Sequence, residues 1–236
     1  MSVLSDPARF RKTVAGLSLI GFPLAGFISC FTDSNEGIGE DGRDLYAAAS
    51  AHGSGIWTTG LIFMVSAVLA APAAFGLAHV LSRRGVVLGH LGAASLVIGS
   101  FGHFGYAVWQ MMVARAAGSS DAIVAYLDRT NDLAAVLIPM MVLIDIGALL
   151  LAAGLLRAGV VPAWAPWLVI VAMLADAGVQ FGGVSATWPI TAIWGACTVP
   201  FGFVGVRLLR MPAATWTAFG AFASTAPAPA PAAAAV

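Results

Sequence analysis

Six stretches of this chain carry almost no polar side chain, and their apolar positions run on continuously instead of alternating. About 20 such residues are what a helix needs to cross the hydrocarbon core of a bilayer, whereas a membrane barrel would show alternation. The pattern predicts spans at about 14–31, 56–80, 86–113, 133–156, 167–186 and 189–209, the last two separated by a tight turn around Thr187-Trp188-Pro189. The predicted fold class is all-α: a polytopic membrane protein of six transmembrane helices over 14–210. A short segment, 1–13, precedes it and an Ala/Pro-rich tail, 211–236, follows. Trp57, Trp109, Trp167 and Trp188 fall near predicted span ends, where interfacial aromatics belong.

Composition removes the soluble alternative. The chain is 60% hydrophobic and 9% charged, with a mean hydropathy of +0.92, against about 25% charged residues in soluble domains. In hydrocarbon every backbone polar group must be satisfied internally, and helices do this within one segment. Net charge is zero, so no nucleic-acid partner is called for; the expected partner is the lipid bilayer. Placing the N-terminus inside puts Arg9, Arg11, Lys12, Arg83, Arg84, Arg157, Arg207 and Arg210 on the cytoplasmic side, and leaves Arg43, Arg115 and Arg129 outside. That asymmetry predicts N-in, C-in. High alanine and glycine with a single lysine point to a bacterial source, and so to a multi-pass protein of the bacterial inner membrane. The first apolar run continues into an acidic loop without a convincing cleavage site, so it reads as a retained first span.

The first outer loop is glycine-rich and acidic. Asp33, Asn35, Glu36, Glu40 and Asp41 lack the ligand and glycine spacing of an EF-hand, which leaves a solvated loop, and Asp44 is placed to cap a short helix after it. The second outer loop has room for one helical turn ending near Asp132. Beyond Arg210 the alternating Ala-Pro tract cannot build a core and reads as a disordered cytoplasmic tail. LSRRGVVLGHLG and LLRAGVVPAWAP share an arginine followed by Gly-Val-Val, each joining two spans on the inner side. This is a weak internal echo.

Helices in lipid associate through small residues and interhelical hydrogen bonds. Three spans carry such stripes: Gly92, Ser95, Gly99, Gly102, His103, Tyr106 and Gln110 on the third; Ala172, Asp176, Gln180 and Gly183 on the fifth; Thr191, Gly195, Thr198, Gly202 and Gly205 on the sixth. Two of the polar residues near these faces are acidic and deep. Asp145 lies about 18 Å from either end of the fourth span and Asp176 about 14 Å from either end of the fifth, at 1.5 Å per residue. An ionised carboxylate there costs about 2.5–3.5 kcal/mol on the lenient insertion scale, and no Lys or Arg lies at that depth in any span to offset it, Arg207 standing at the edge of the sixth. At least one of the pair is expected to hold its proton at rest, the chemistry of a proton-coupled site. The plainer reading is that each carboxyl hydrogen-bonds a neighbouring helix. The candidate buried polar site is Asp145, Asp176, Gln180, His103 and Tyr106. Pro139 and Pro200 are expected to kink the fourth and sixth spans.

Other chemistry finds little footing. His52, His79, His90 and His103 form two pairs, but His52 and His79 are about 40 Å apart along one helix, which breaks a two-haem arrangement. His103 alone stays as a partner for the aspartates. Cys30 and Cys197 show no metal spacing and read as small buried groups. No cofactor or metal site is expected, and no compact catalytic motif is present, which leans against an enzyme.

The stretch GALLLAAGLLRAGVVPAWAPWLVIVAMLADAG resembles an uncharacterised bacterial six-span family, a domain of unknown function. It has that family's leucine-rich span, basic-plus-glycine inner turn, following proline and next apolar span, and the long first outer loop running into a short helix also fits. The family's usual aromatic and histidine content in the fourth span is replaced here by Asp145. The resemblance implies the fold and carries no chemistry. Three classes of function remain: a small transporter or accessory subunit handling a small molecule or proton, a membrane-embedded enzyme acting on a lipid or isoprenoid, and a structural or interaction protein, with a second copy of the chain admitted as a partner.

Overall fold

The computed structural model describes residues 6–32, 42–116, 125, 131–181 and 187–220. Among these, seven helices and no strand occur: α1 (Pro7–Ser29), α2 (Gly42–Val80), α3 (Val86–Ala116), α4 (Asn131–Ala158), α5 (Trp164–Phe181), α6 (Thr187–Arg210) and α7 (Ala213–Gly220). Five stretches, Pro7–Ser29, Ser54–Val80, Val86–Ala116, Val136–Ala158 and Trp188–Arg210, are long and apolar enough to cross a membrane. This is a multi-pass helical membrane protein. The apolar part of α5, Trp164–Val179, is shorter.

Local chemistry sets the ends. Asp6 caps α1 by accepting from the Ala8 and Arg9 amides at 2.9 and 3.2 Å, and Pro7 occupies the first turn, where its missing N–H costs nothing. The connections after α2 and α4 turn on Gly85 (φ 91°) and Gly159 (φ 64°), left-handed conformations that favour glycine. These are the two glycines of the repeated Gly-Val-Val, so the echo in sequence corresponds to a shared turn geometry. Gly85 has a second constraint, since a Cβ there would lie 3.2 Å from the Gly154 carbonyl oxygen.

Each of α1 to α6 packs on the next, and α6 returns to α1, closing a ring of six helices; α2 also touches α4. Neighbours run antiparallel. Along α1, Gly16 meets Gly205 and Leu209, while Gly26 meets Trp194. Along α2, Gly76 meets Ala15 and Leu69 meets Gly21. Gly92, Gly99 and Gly102 of α3 lie against α4, where Gly147 answers them. A Cβ on Gly99 would stand 2.5 Å from the Ile144 amide nitrogen, and one on Gly147 2.5 Å from that of Leu96. The stripe on the third span is therefore a packing face that lets two backbones approach. At Pro23, whose ring removes a backbone donor, hydroxyls arrive from both flanks. Ser66 Oγ donates to the Phe22 carbonyl at 2.9 Å and Thr198 Oγ1 to that of Pro23 at 3.2 Å.

Lys12, Arg83, Arg84, Arg157, Arg207 and Arg210 all lie at one end of the ring, the basic end. There the buried Lys12 ammonium donates to the Leu209 and Met211 carbonyls at 3.1 and 2.6 Å, satisfying the C-terminal turn of α6 from a different helix.

Two expectations are corrected. The short helix after Asp44 is the start of α2, which runs unbroken from Gly42. The tail does not lose structure directly after Arg210, because α7 folds back over the basic end onto α1 and α2. Its Trp216 is buried, with the ring 4.2 Å from that of His79. His79 Nε2 donates to the Trp216 carbonyl at 2.9 Å, and Ser82 Oγ donates to that of Phe219. The Ala-Pro tract dominates the composition there, but one tryptophan supplies enough apolar area to anchor two helical turns. The remaining tail (221–236), the acidic loop (33–41), most of the second outer loop and the 182–186 turn lie outside the described residues.

Candidate buried acidic site

The acidic residues sit on two converging faces. On α4 the face Asp145, Ala148, Ala152 and Leu155 steps by three and four residues; on α5 the matching face is Ala165, Val169, Ala172 and Asp176. Except for the half-buried Asp145, all of these are buried, Asp176 to 8% exposure. The opposing face on α6 is Ile193, Cys197, Phe201, Val204 and Leu208, all buried.

The charges of both Asp145 and Asp176 reach the thiol of Cys197, itself 1% exposed. Asp176 also acts on Cys30, at the end of α1. Cys30 Sγ donates to the Gly26 carbonyl at 3.4 Å and takes a hydrogen bond from Thr191. Asp145, Asp176 and Thr191 each have further interactions with their surroundings. Asp145 of α4 and Asp176 of α5 thus both act on the Cys197 thiol of α6, and the more buried of them also acts on Cys30, at the C-terminal end of α1.

Towards the basic end the site is bordered by apolar side chains. Ala152, Leu155, Val169, Phe201 and Val204 line a partly open void of about 10 Å³, at the lower limit for one water. Polar groups lie towards the opposite end, where Thr191, Ser29 and Cys30 cluster near the end of α1.

The structure divides the five candidate residues. Asp145 and Asp176 share an electrostatic reach to Cys197. His103 does not join them: its ring packs edge-on against Phe63 of α2, centroids 4.5 Å apart. Tyr106 also lies apart, stacked on Trp109 at 5.6 Å, with Gln110 beside it. The side chain of Gln180 lies outside the described residues. What α3 holds is a second, neutral polar patch. His103 Nε2, Trp109 Nε1 and both amide atoms of Gln110 are buried with no hydrogen bond of normal geometry. Tyr106 is the polar side chain beside the Gln110 amide. Buried groups of this kind mark water or ligand positions.

Sequence reasoning missed Cys30, Cys197 and Thr191 as neighbours of the acids. Cys197 adjoins Thr198 on the sixth-span stripe, yet which side of the stripe meets α5 depends on how α6 rotates, and that is not written in its spacing. Among the described residues no group of three His, Cys, Asp or Glu side chains is placed to hold a metal ion. No protein-family model, curated protein or solved structure matches the chain.

Proposed function

We propose that this is a six-span protein of the bacterial inner membrane, N-in and C-in, whose Asp145–Asp176 pair forms a protonatable site serving a small proton-coupled transporter or an accessory membrane subunit. One observation supports the reading: Asp145 and Asp176, on neighbouring helices, both bear electrostatically on the buried Cys197 thiol. Two such groups in a low-dielectric interior cannot both ionise cheaply, so together they hold at least one exchangeable proton. The apolar lining towards the basic end and the polar groups towards the other support exchange with the opposite side. Kinship with the uncharacterised six-span family belongs to the same proposal, on the Gly147–Gly178 stretch. The enzyme reading would need His103 or Tyr106 beside a cleft open to lipid, and the clefts found between α2 and α3 are lined by other residues.

The test is infrared difference spectroscopy on protein reconstituted in liposomes, with a pH-sensitive dye inside. A carbonyl band of protonated carboxylic acid is expected, shrinking in Asp176→Asn and again in the double variant with Asp145→Asn. Proton uptake under an imposed potential should fall in parallel. Absence of both the band and the uptake in the wild-type chain would overturn the proposal.

A further inference from the structure

Two clefts adjoin at the ends of α2 and α3 away from the basic end. One, of about 470 Å³, is bounded by Ser54, Thr58 and Ala114 together with Trp57 and Arg115. The other, of about 460 Å³, shares Trp57 and Arg115 and continues along Met64, Val108, Met111 and Met112. Each falls within the size range of small-molecule sites. Their common wall is a cation–π pair, with the Arg115 guanidinium carbon 4.3 Å from the centre of the Trp57 ring.

We infer that this is a binding site for an anionic phospholipid, with the phosphate on Arg115 and an acyl chain in the methionine-lined cleft. Depth argues for it. Trp57 lies near the start of the Ser54–Val80 span and Arg115 next to the end of Val86–Ala116, both at headgroup level. From there to Met64 and Val108 the apolar cleft descends about 10 Å towards the midplane, the direction an acyl chain takes. Charge complementarity argues for it too. Among the described residues Arg115 is the one charged side chain lining either cleft, and stacking on the indole fixes the plane of its donor fork. The Thr58 hydroxyl already donates to the Ser54 carbonyl at 2.8 Å, so recognition of an anion falls to Arg115. Met112 is 62% exposed on the side facing lipid, which gives lateral entry, and unbranched methionines adapt to a flexible chain. The site depends on the membrane reading but not on the acidic pair, so proton exchange and lipid selectivity fail independently.

Native mass spectrometry of the full chain in detergent, titrated with phosphatidylglycerol and with phosphatidylcholine of the same acyl chains, tests this. The anionic lipid is expected to bind about fivefold more tightly, the contribution of one interfacial cation. Arg115→Gln should abolish the preference, while Arg84→Gln, at the basic end, should leave it intact. Val108→Trp, which fills the tail cleft, should weaken both lipids and serves as the test if Arg115→Gln fails to fold. Equal affinity for the two lipids in the wild-type chain overturns the inference. So does an equal loss in Arg84→Gln, or unchanged binding in Val108→Trp. Displacement of the lipid by inorganic phosphate alone would mark a free-anion site and overturn it as well.

Discussion

At the scale of single residues, the closest contacts are made by glycines and the least expected ones by cysteines. Gly99 and Gly147 hold α3 and α4 so close that any side chain must push against backbone, at 2.5 Å from an amide nitrogen in each case. Gly99→Val or Gly147→Val is expected to cost about 1–3 kcal/mol or more, because overpacking backbone cannot be relieved by a rotamer change. Gly202→Val, where nothing lies within 4 Å of the added carbon, should stay within about 0.5 kcal/mol. Thermal unfolding in one detergent compares them, and equal losses at Gly147 and Gly202 would refute the argument. Both Gly99 and Gly202 lie on stripes visible in the sequence, so periodicity identified the faces but could not tell which members meet a partner. The acids show the same limit. Their depth follows from counting residues, since a span has a fixed rise and the bilayer a fixed thickness. Their shared influence on Cys197 does not, because it depends on the rotation of three helices about their axes. The polar stripe of the third span offers His103 as a partner for the acids, and its helix turns it to Phe63 instead.

At the scale of elements, helix positions were legible because a bilayer leaves the backbone no other way to satisfy itself. The parts that escaped were those outside the apolar runs. The first turns of α2 carry polar and small residues with no hydrophobic signal, and α7 was hidden by the Ala-Pro tract that follows it. Both α6 and α7 are secured by contacts that no periodicity announces. Lys12, the single lysine of the chain, donates to two carbonyls at the end of α6. Lys12→Met should cost about 1.5–3 kcal/mol, the range for hydrogen bonds to a charged group. It should also raise hydrogen exchange around 206–211 while α3 and α4 stay protected. Uniformly raised exchange would mean that Lys12 supports the whole bundle and not this one turn. Trp216→Ala should release α7 from His79, at a cost of about 3 kcal/mol for a buried tryptophan. The expected signature is early proteolysis after Met211 with the ring of six helices intact.

At the scale of the whole molecule, the decisive element is α5. Its apolar stretch of 16 residues, Trp164–Val179, is about 24 Å long, short of a core roughly 30 Å thick. Read alone, it suits a re-entrant segment, and five crossings would then leave the two termini on opposite sides. The packing of the other helices weighs against that. α6 runs antiparallel to α1 along its length, from Trp194 beside Gly26 to Leu209 beside Gly16 and Lys12. α4 ends at the basic end, where Gly154 meets Gly85, while α6 begins at the other, where Thr191 meets Cys30. The chain must travel between these ends, and α5 is the segment that makes the journey, from Ala165 beside the apolar void to Asp176 within range of Cys30. A short span can be accommodated by local thinning of the bilayer or by the flanking Trp164 and Trp167. The prediction is an even number of crossings. A fluorescent reporter that matures only in the cytoplasm should light up when fused at either terminus, and maleimide that cannot cross membranes should label an Arg84→Cys variant only after permeabilisation. A dark C-terminal fusion beside a bright N-terminal one would make α5 re-entrant. The acidic pair would then stand at the tip of a hairpin instead of inside a ring, and the direction assigned to its proton path would have to be abandoned with the sixth span.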